Sequence, residues 1–140
     1  MLRQHLSTLT IQTPGRGLIE ITDDVRAHVA QCAIQQGLLT LFIRHTSASL
    51  LIQENADPDV RGDLERFFAR LVCDGDPLFQ HRAEDADDMP AHVRSALTAT
   101  QLSIPIADGS LREPGVKSCI TTLCLPTHNS KATRTQSRRS

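Results

Sequence analysis

The chain has 140 residues and a formal charge of −1, enough for one domain with its own core and too little for two. A near-neutral balance gives no electrostatic reason to expect nucleic acid or a membrane surface as a partner. No apolar run approaches the roughly 18 residues needed to span a bilayer, and no signal-peptide core opens the chain, so the cytosol is the expected compartment. The charge is unevenly spread. From Glu113 onward five Lys/Arg stand against one acid, which leaves that segment near +4 and the remainder near −5. Cys32, Cys73, Cys119 and Cys124 lack the Cys-x2-Cys spacing of a zinc ribbon and read as buried or incidental thiols.

Leu9 and Ile11, then Ile19 and Ile21, alternate with polar residues around Pro14-Gly15-Arg16-Gly17, which predicts a β-hairpin. Thr22 reads as an N-cap with Asp23 and Asp24 in the first turn. Val25, Val29, Cys32 and Ala33 recur at helical spacing, so a helix is expected over 23–36, stopped by Gly37. Leu38–Arg44 and Ser49–Gln53 read as strands. Asp57-Pro58 is a strong helix start, and Val60, Leu64, Phe67, Phe68 and Leu71 form one apolar stripe. An acidic loop follows over 74–88, long enough to suspect function. A third helix begins near Asp88, with Val93, Ala96 and Leu97 expected to face inward, and Leu102, Ile104 and Ile106 alternate as a strand ending at Asp108-Gly109. The order is that of an α+β protein without strict βαβ alternation, and no phosphate-loop or dinucleotide glycine pattern is present.

Polar residues gather at two places. His45, Thr46, Ser47 and Ser49 close one apolar run, with Glu54, Asn55 and Asp57 just beyond; His81, Glu84, Asp87, Asp88 and His92 occupy the acidic loop and the helix after it. A lone histidine at a strand end is more often a structural group, and acidic loops are more often simply solvated. Three imidazoles could instead surround a metal and leave a fourth position open for water or substrate. Glu84 could serve as a general base or fix a histidine tautomer, and Ser47 and Ser49 could donate to a phosphate or carboxylate. No Gly-x-Ser-x-Gly elbow accompanies these serines.

Taken together, His45-Thr-Ser-Ala-Ser, Glu54-Asn-Ala-Asp-Pro-Asp-Val, Asp87-Asp-Met-Pro-Ala-His and Ile104-Pro-Ile-Ala-Asp-Gly resemble the YjbQ-like family, whose members are commonly labelled secondary thiamine-phosphate synthases. The resemblance covers residues 1 to about 111. It implies a small closed mixed β-barrel with packed helices, a homotrimer, and a polar cleft holding a divalent metal such as zinc. It further implies His45, His81 and His92 as metal ligands, and Glu84, His81 and Asp88 as catalytic groups. Ser47, Ser49, Asn55 and Asp57 would contact a small phosphate-bearing substrate. The reaction implied is transferase chemistry yielding thiamine phosphate; a non-catalytic trimeric module for a small anion or metabolite is the alternative.

The resemblance breaks near residue 112. The family continues with a Gly-Thr-Trp-Gln block and a last apolar strand, whereas this chain reads Ser110-Leu-Arg-Glu-Pro-Gly-Val-Lys-Ser-Cys and contains no tryptophan. Residues 112–140 therefore read as a divergent segment, either out of frame or disordered, with the barrel's closing strands absent or altered. The genetic code permits the first reading. Arg112–Gly115 encoded as CGG-GAA-CCT-GGN yields GGA-ACC-TGG from the third base, which spells Gly-Thr-Trp. Cys119–Leu125 is apolar enough to form a different closing strand, while the last fifteen residues are too polar to offset their ordering entropy.

Overall fold

The computed structural model describes residues 3–54, 57–112, 118–124 and 133–138. Its elements run β1 (Gln4–Leu9), β2 (Gly17–Glu20), α1 (Thr22–Gln31), β3 (Gln36–Ile43), β4 (Ala48–Glu54), α2 (Pro58–Leu71), α3 (Asp88–Leu97), β5 (Gln101–Ala107), β6 (Ser110–Leu111), β7 (Ser118–Cys124) and β8 (Thr133–Arg138). The α+β class and the three helices are those expected. The strands form two sheets, ordered β1-β8-β3-β5-β6 and β2-β7-β4, and every described ladder is antiparallel. The barrel implied by the resemblance is thus not closed. Among the described residues, the link between β4 and the segment leading into β5 is an isolated bridge, Leu50 to Ala99, and a single bridge cannot continue a ladder.

One core is shared by both sheets and α1. Leu39, Leu41 and Ile43 point inward from β3 while Leu38 and Phe42 alternate outward, and Leu50, Ile104, Ile106, Ile120, Ile21, Val25 and Val29 complete the buried cluster. The expected hairpin of the first two strands does not form. Thr8 on β1 pairs with Arg134 on β8, and Ile19 on β2 pairs with Thr122 on β7, so each takes a partner more than a hundred residues away. A true two-residue hairpin joins β5 to β6: Asp108 and Gly109 have φ of 53° and 72°, the left-handed pair such a turn requires.

Helix α1 ends at Gln31 rather than at the expected Gln36, because Ala33 turns the chain at φ 51° and Gln36 onward is drawn into β3. Thr22 is its first residue rather than its cap. The Thr22 hydroxyl oxygen accepts the Ile120 N–H at 2.9 Å, tying the helix start to β7. Asp57 caps α2 as expected, its carboxylate accepting the Asp59 N–H at 2.9 Å. The apolar stripe of α2 is only partly covered: Val60, Leu64 and Phe68 are half-buried, while Phe67 and Leu71 are 52% and 53% exposed. On α3 the inward face is Asp88, Pro90, Ala91, Arg94 and Ser95, whereas Leu97 faces outward, since polar residues here have partners within the fold.

Strand β7 lies between β2 and β4, in agreement with the apolar character of Cys119–Leu125, and β8 lies between β1 and β3. The structure thus gives Thr133–Arg138 a strand where the polar sequence favours disorder. Two flanking strands offering backbone donors and acceptors can order a segment whatever its side chains.

Candidate functional site

The site is built on the first turns of α3, and the side chains of Ser95, Thr98 and Arg94 hold that helix. Ser95 Oγ donates to the Ala48 carbonyl at 3.1 Å, and Thr98 Oγ1 donates to Ser49 Oγ at 2.5 Å, laying α3 along the start of β4. Arg94, 2% exposed, donates to the Phe68 and Val72 carbonyls at the end of α2 and to Asp74 Oδ1 at 3.2 Å. Val72 is the C-cap of α2 and the Phe68 carbonyl already accepts the Val72 N–H at 3.1 Å, so the guanidinium adds donors at the last turn and complements the helix dipole. Burial pushes the Arg94 guanidinium below its ordinary value and Arg16 adds to the push, while Asp74 opposes it. Nothing in the sequence marks Arg94, because its partners lie on a different helix.

With α3 fixed, its first residue, Asp88, becomes the centre of a polar group. The Asp88 side chain is 7% exposed, and its Oδ2 lies 3.1 Å from His81 Nε2 and 3.3 Å from His92 Nε2. Asp88 and His92 are one helical turn apart and so share a face. His81 comes from the acidic loop, its ring centroid 6.2 Å from that of His92. His92 Nδ1 lies 3.2 Å from the Thr46 carbonyl oxygen, which joins this group to the His45 segment.

The hydrogen bonds define tautomers. A carbonyl only accepts, so His92 carries a proton on Nδ1, and its neutral ring turns a bare Nε2 lone pair toward the Asp88 carboxylate. Two acceptors 3.3 Å apart repel unless a cation joins them, either a proton on Nε2 or a metal ion. The donor set fits a metal: two imidazole nitrogens and a carboxylate oxygen lie within 4.8 Å of one another, a combination suited to zinc.

His45 plays another part. Its Nδ1 accepts the Ser47 N–H at 3.0 Å and lies 3.4 Å from Ser47 Oγ. The neutral His45 ring therefore carries its proton on Nε2 and is a donor in this conformation, while the third place in the close group belongs to Asp88. Glu84 is exposed and lines a pocket of about 200 Å³ together with His81, Arg82 and Met89. Ser47 is buried beside His45. Ser49, expected to contact ligand, is instead fully buried and turned toward Thr98: strand alternation sends Ala48 and Leu50 to the core and Ser49 to the opposite face of β4, against which α3 lies. The Asp57 carboxylate is engaged as the α2 cap, and Asn55 lies outside the described residues. A larger cavity of about 500 Å³ lies between α2 and the turn before β2. Its charged lining is already paired, Arg16 and Arg94 with Asp74, and Glu65 with the Leu18 N–H at 2.8 Å.

Fold and site together define a small two-sheet α+β domain carrying a polar, metal-competent group at the start of its third helix. The family model described as UPF0047 protein YjbQ-like matches residues 7–121, and the chain belongs to this family. It is 51% identical over 109 residues to UPF0047 protein sll1880 of Synechocystis, covering 78% of this chain and 74% of that one. It is 42% identical over 109 residues to UPF0047 protein YjbQ of Escherichia coli O157:H7, covering 77% and 78%. A solved YbjQ-like protein of unknown function from Sulfolobus solfataricus superposes with a TM-score of 0.84 at 18% identity, over 99% of this chain and 98% of that one. A conserved hypothetical protein from Thermus thermophilus gives a TM-score of 0.80 at 29% identity, over 92% and 97%. No helix among the described residues is long and apolar enough to cross a membrane.

Proposed function

We propose that His81, Asp88 and His92 hold a divalent metal, zinc by donor type, in a cleft that binds a small phosphate-bearing molecule. The observation that carries this reading is the His92 ring, whose Nδ1 is engaged by Thr46 while its Nε2 faces the buried Asp88 carboxylate at 3.3 Å. A bound metal would supply a Lewis acid for phosphoryl oxygen. The chain's own groups divide the remaining work. His45 offers its Nε2–H to a phosphate oxygen, Glu84 stands ready beside His81 to exchange a proton, and Asn55 would orient the ligand. The reaction that suits this set is thiamine-phosphate synthesis, as a main or a side activity. In it the thiazole nitrogen bonds to the pyrimidine methylene carbon as the carbon–oxygen bond to pyrophosphate breaks. Metal analysis of purified protein, then turnover with and without His92→Ala, tests this. Stoichiometric zinc and turnover lost in the variant support it; full turnover in the variant sinks it.

A second reading, a non-catalytic homotrimeric module for a small anion or metabolite, is favoured by the exposed Phe67 and Leu71 on α2, which a neighbouring copy would cover. Ligand binding without turnover would select it, and sedimentation as a monomer would remove the trimer from both readings.

We also propose that residues from about 112 onward are translated out of frame. The curated relatives named above match over 109 residues, though the family model itself extends to residue 121. A coding DNA offering no Gly-Thr-Trp in either alternative frame near codon 112 would end this proposal.

A further inference from the structure

Far from α3 in the chain, His5 on β1 and His28 and Cys32 at the end of α1 bring two imidazole nitrogens and a sulfur within 4.8 Å of one another. His28 and Cys32 are one helical turn apart and project from the same face. Strand β1 lies across that face. Ser7 Oγ is 2.8 Å from His28 Nε2, the His5 and His28 rings are 5.8 Å apart, and Cys32 Sγ lies 3.6 Å from His28 Nε2. His5 is exposed while His28 and Cys32 are half-buried, so a ligated ion would keep one side open to solvent. On that side a small pocket is lined by Arg3, Gln4, His5, Cys32 and Ile34.

We propose that His5, His28 and Cys32 form a second, thiophilic metal site, suited to zinc(II), that clips β1 to the end of α1. Three features favour it beyond proximity. The donor set pairs borderline nitrogens with a soft sulfur, which selects zinc over magnesium or calcium. The ion would sit at a helix C-terminus, whose outward carbonyls favour a cation. Burial, with the charge of His5 adding to it, pushes His28 below its ordinary value of 6.5, so at neutral pH its ring is an uncharged ligand. The Ser7 hydroxyl, 2.8 Å from His28 Nε2 and free to rotate, would give way to the metal at that nitrogen. Binding replaces the thiol proton of Cys32 by the metal and releases that proton to solvent.

The site is read with cobalt(II) standing in for zinc, titrated into the full chain carrying His81→Ala and His92→Ala so that the α3 group is silent. Thiolate ligation gives a sulfur-to-cobalt band in the near ultraviolet, which no purely nitrogen and oxygen site produces. The band is expected in that background, displaced by one equivalent of zinc, retained with Cys73→Ser and lost with Cys32→Ser. His5→Ala and His28→Ala should each weaken binding by about tenfold or more. No band in the parent, a band surviving Cys32→Ser, or unchanged affinity in His5→Ala overturns the proposal. Should Cys32→Ser fail to fold by circular dichroism, His5→Ala decides, since an exposed ring leaves no cavity when removed.

Discussion

The groups at α3 and α1 share one plan and differ in the end of the helix they use. Each pairs two donors one turn apart, Asp88 with His92 and His28 with Cys32, and adds a histidine from another segment, His81 or His5. The α3 group sits at a helix N-terminus, whose exposed N–H groups repel a cation, and there the helix contributes a buried carboxylate. The α1 group sits at a C-terminus, already favourable to positive charge, and there a half-buried thiol suffices. The contrast is that the helix places a carboxylate where the backbone field opposes a cation, and a thiol, which would lose its proton only on binding, where the field favours one. The α3 group should accordingly depend on its charge more steeply than the α1 group does.

The largest break in this comparison should come from Arg94→Met. It takes the guanidinium away from the Phe68 and Val72 carbonyls and from Asp74 and should destabilise the fold by about 3 kcal/mol in urea unfolding. In protein that remains folded, zinc affinity should fall at the α3 group and the cobalt–sulfur band at α1 should be unchanged. Loss of both signals together would show that the two groups are not independent. Asp88→Asn keeps the shape and removes the charge. Zinc affinity at α3 should drop by about 10- to 100-fold, measured by competition with a chelating dye, again sparing the α1 band. An affinity unchanged in Asp88→Asn would refute the electrostatic account of that group.

Smaller effects are expected at α1. Ser7→Ala removes the nearer of the two neighbours of His28 Nε2, leaving Cys32 Sγ, and should cost about 1 kcal/mol in metal-free protein. The same substitution should tighten zinc binding, because the metal no longer competes with the hydroxyl; weaker binding would count against displacement. The smallest is a pH effect. Because the folded chain holds the His28 value below 6.5, the unfolded chain binds the proton more readily. Metal-free stability should therefore be lost as pH falls below about 6.5 through the folded value, and His28→Asn should flatten that slope. Parallel pH profiles for the two proteins would show that burial of the ring is not what the profile reports.

Local signals in the sequence carry well. The Asp57-Pro58 start of α2, the turn at Asp108-Gly109 and the strand over Leu38–Arg44 are each determined within a few residues and stand in the structure, although that apolar run reads as a buried strand and Leu38 and Phe42 are exposed. The expected hairpin of the first two strands fails because both strands pair with segments more than a hundred residues away, which alternation cannot reveal. Within the site, the grouping of His81 with His92 is legible from the resemblance, which also marks Asp88 as a catalytic group. That Asp88 stands within the close group is readable from its four-residue spacing to His92 on one helix. The same spacing links His28 to Cys32, but their third partner, His5, comes from a strand whose placement no local pattern gives. Ser49 departs from expectation for a plain reason: a hydroxyl near a histidine can equally be a core hydroxyl with a neighbour such as Thr98.

The positions of β7 and β8 have a consequence for how this molecule is made. Both fill inner places in their sheets, β7 between β2 and β4 and β8 between β1 and β3, although they are the last strands in chain order. During synthesis β3, β5 and β6 can pair early, but β1, β2, β4 and one edge of β3 wait open, since neither sheet can be completed before residues 118–138 have left the ribosome. Folding should be governed by these long-range closures rather than by the quick helices, and a ribosome stalled after β6 would present β2, β3 and β4 as unpaired edges to any chaperone nearby.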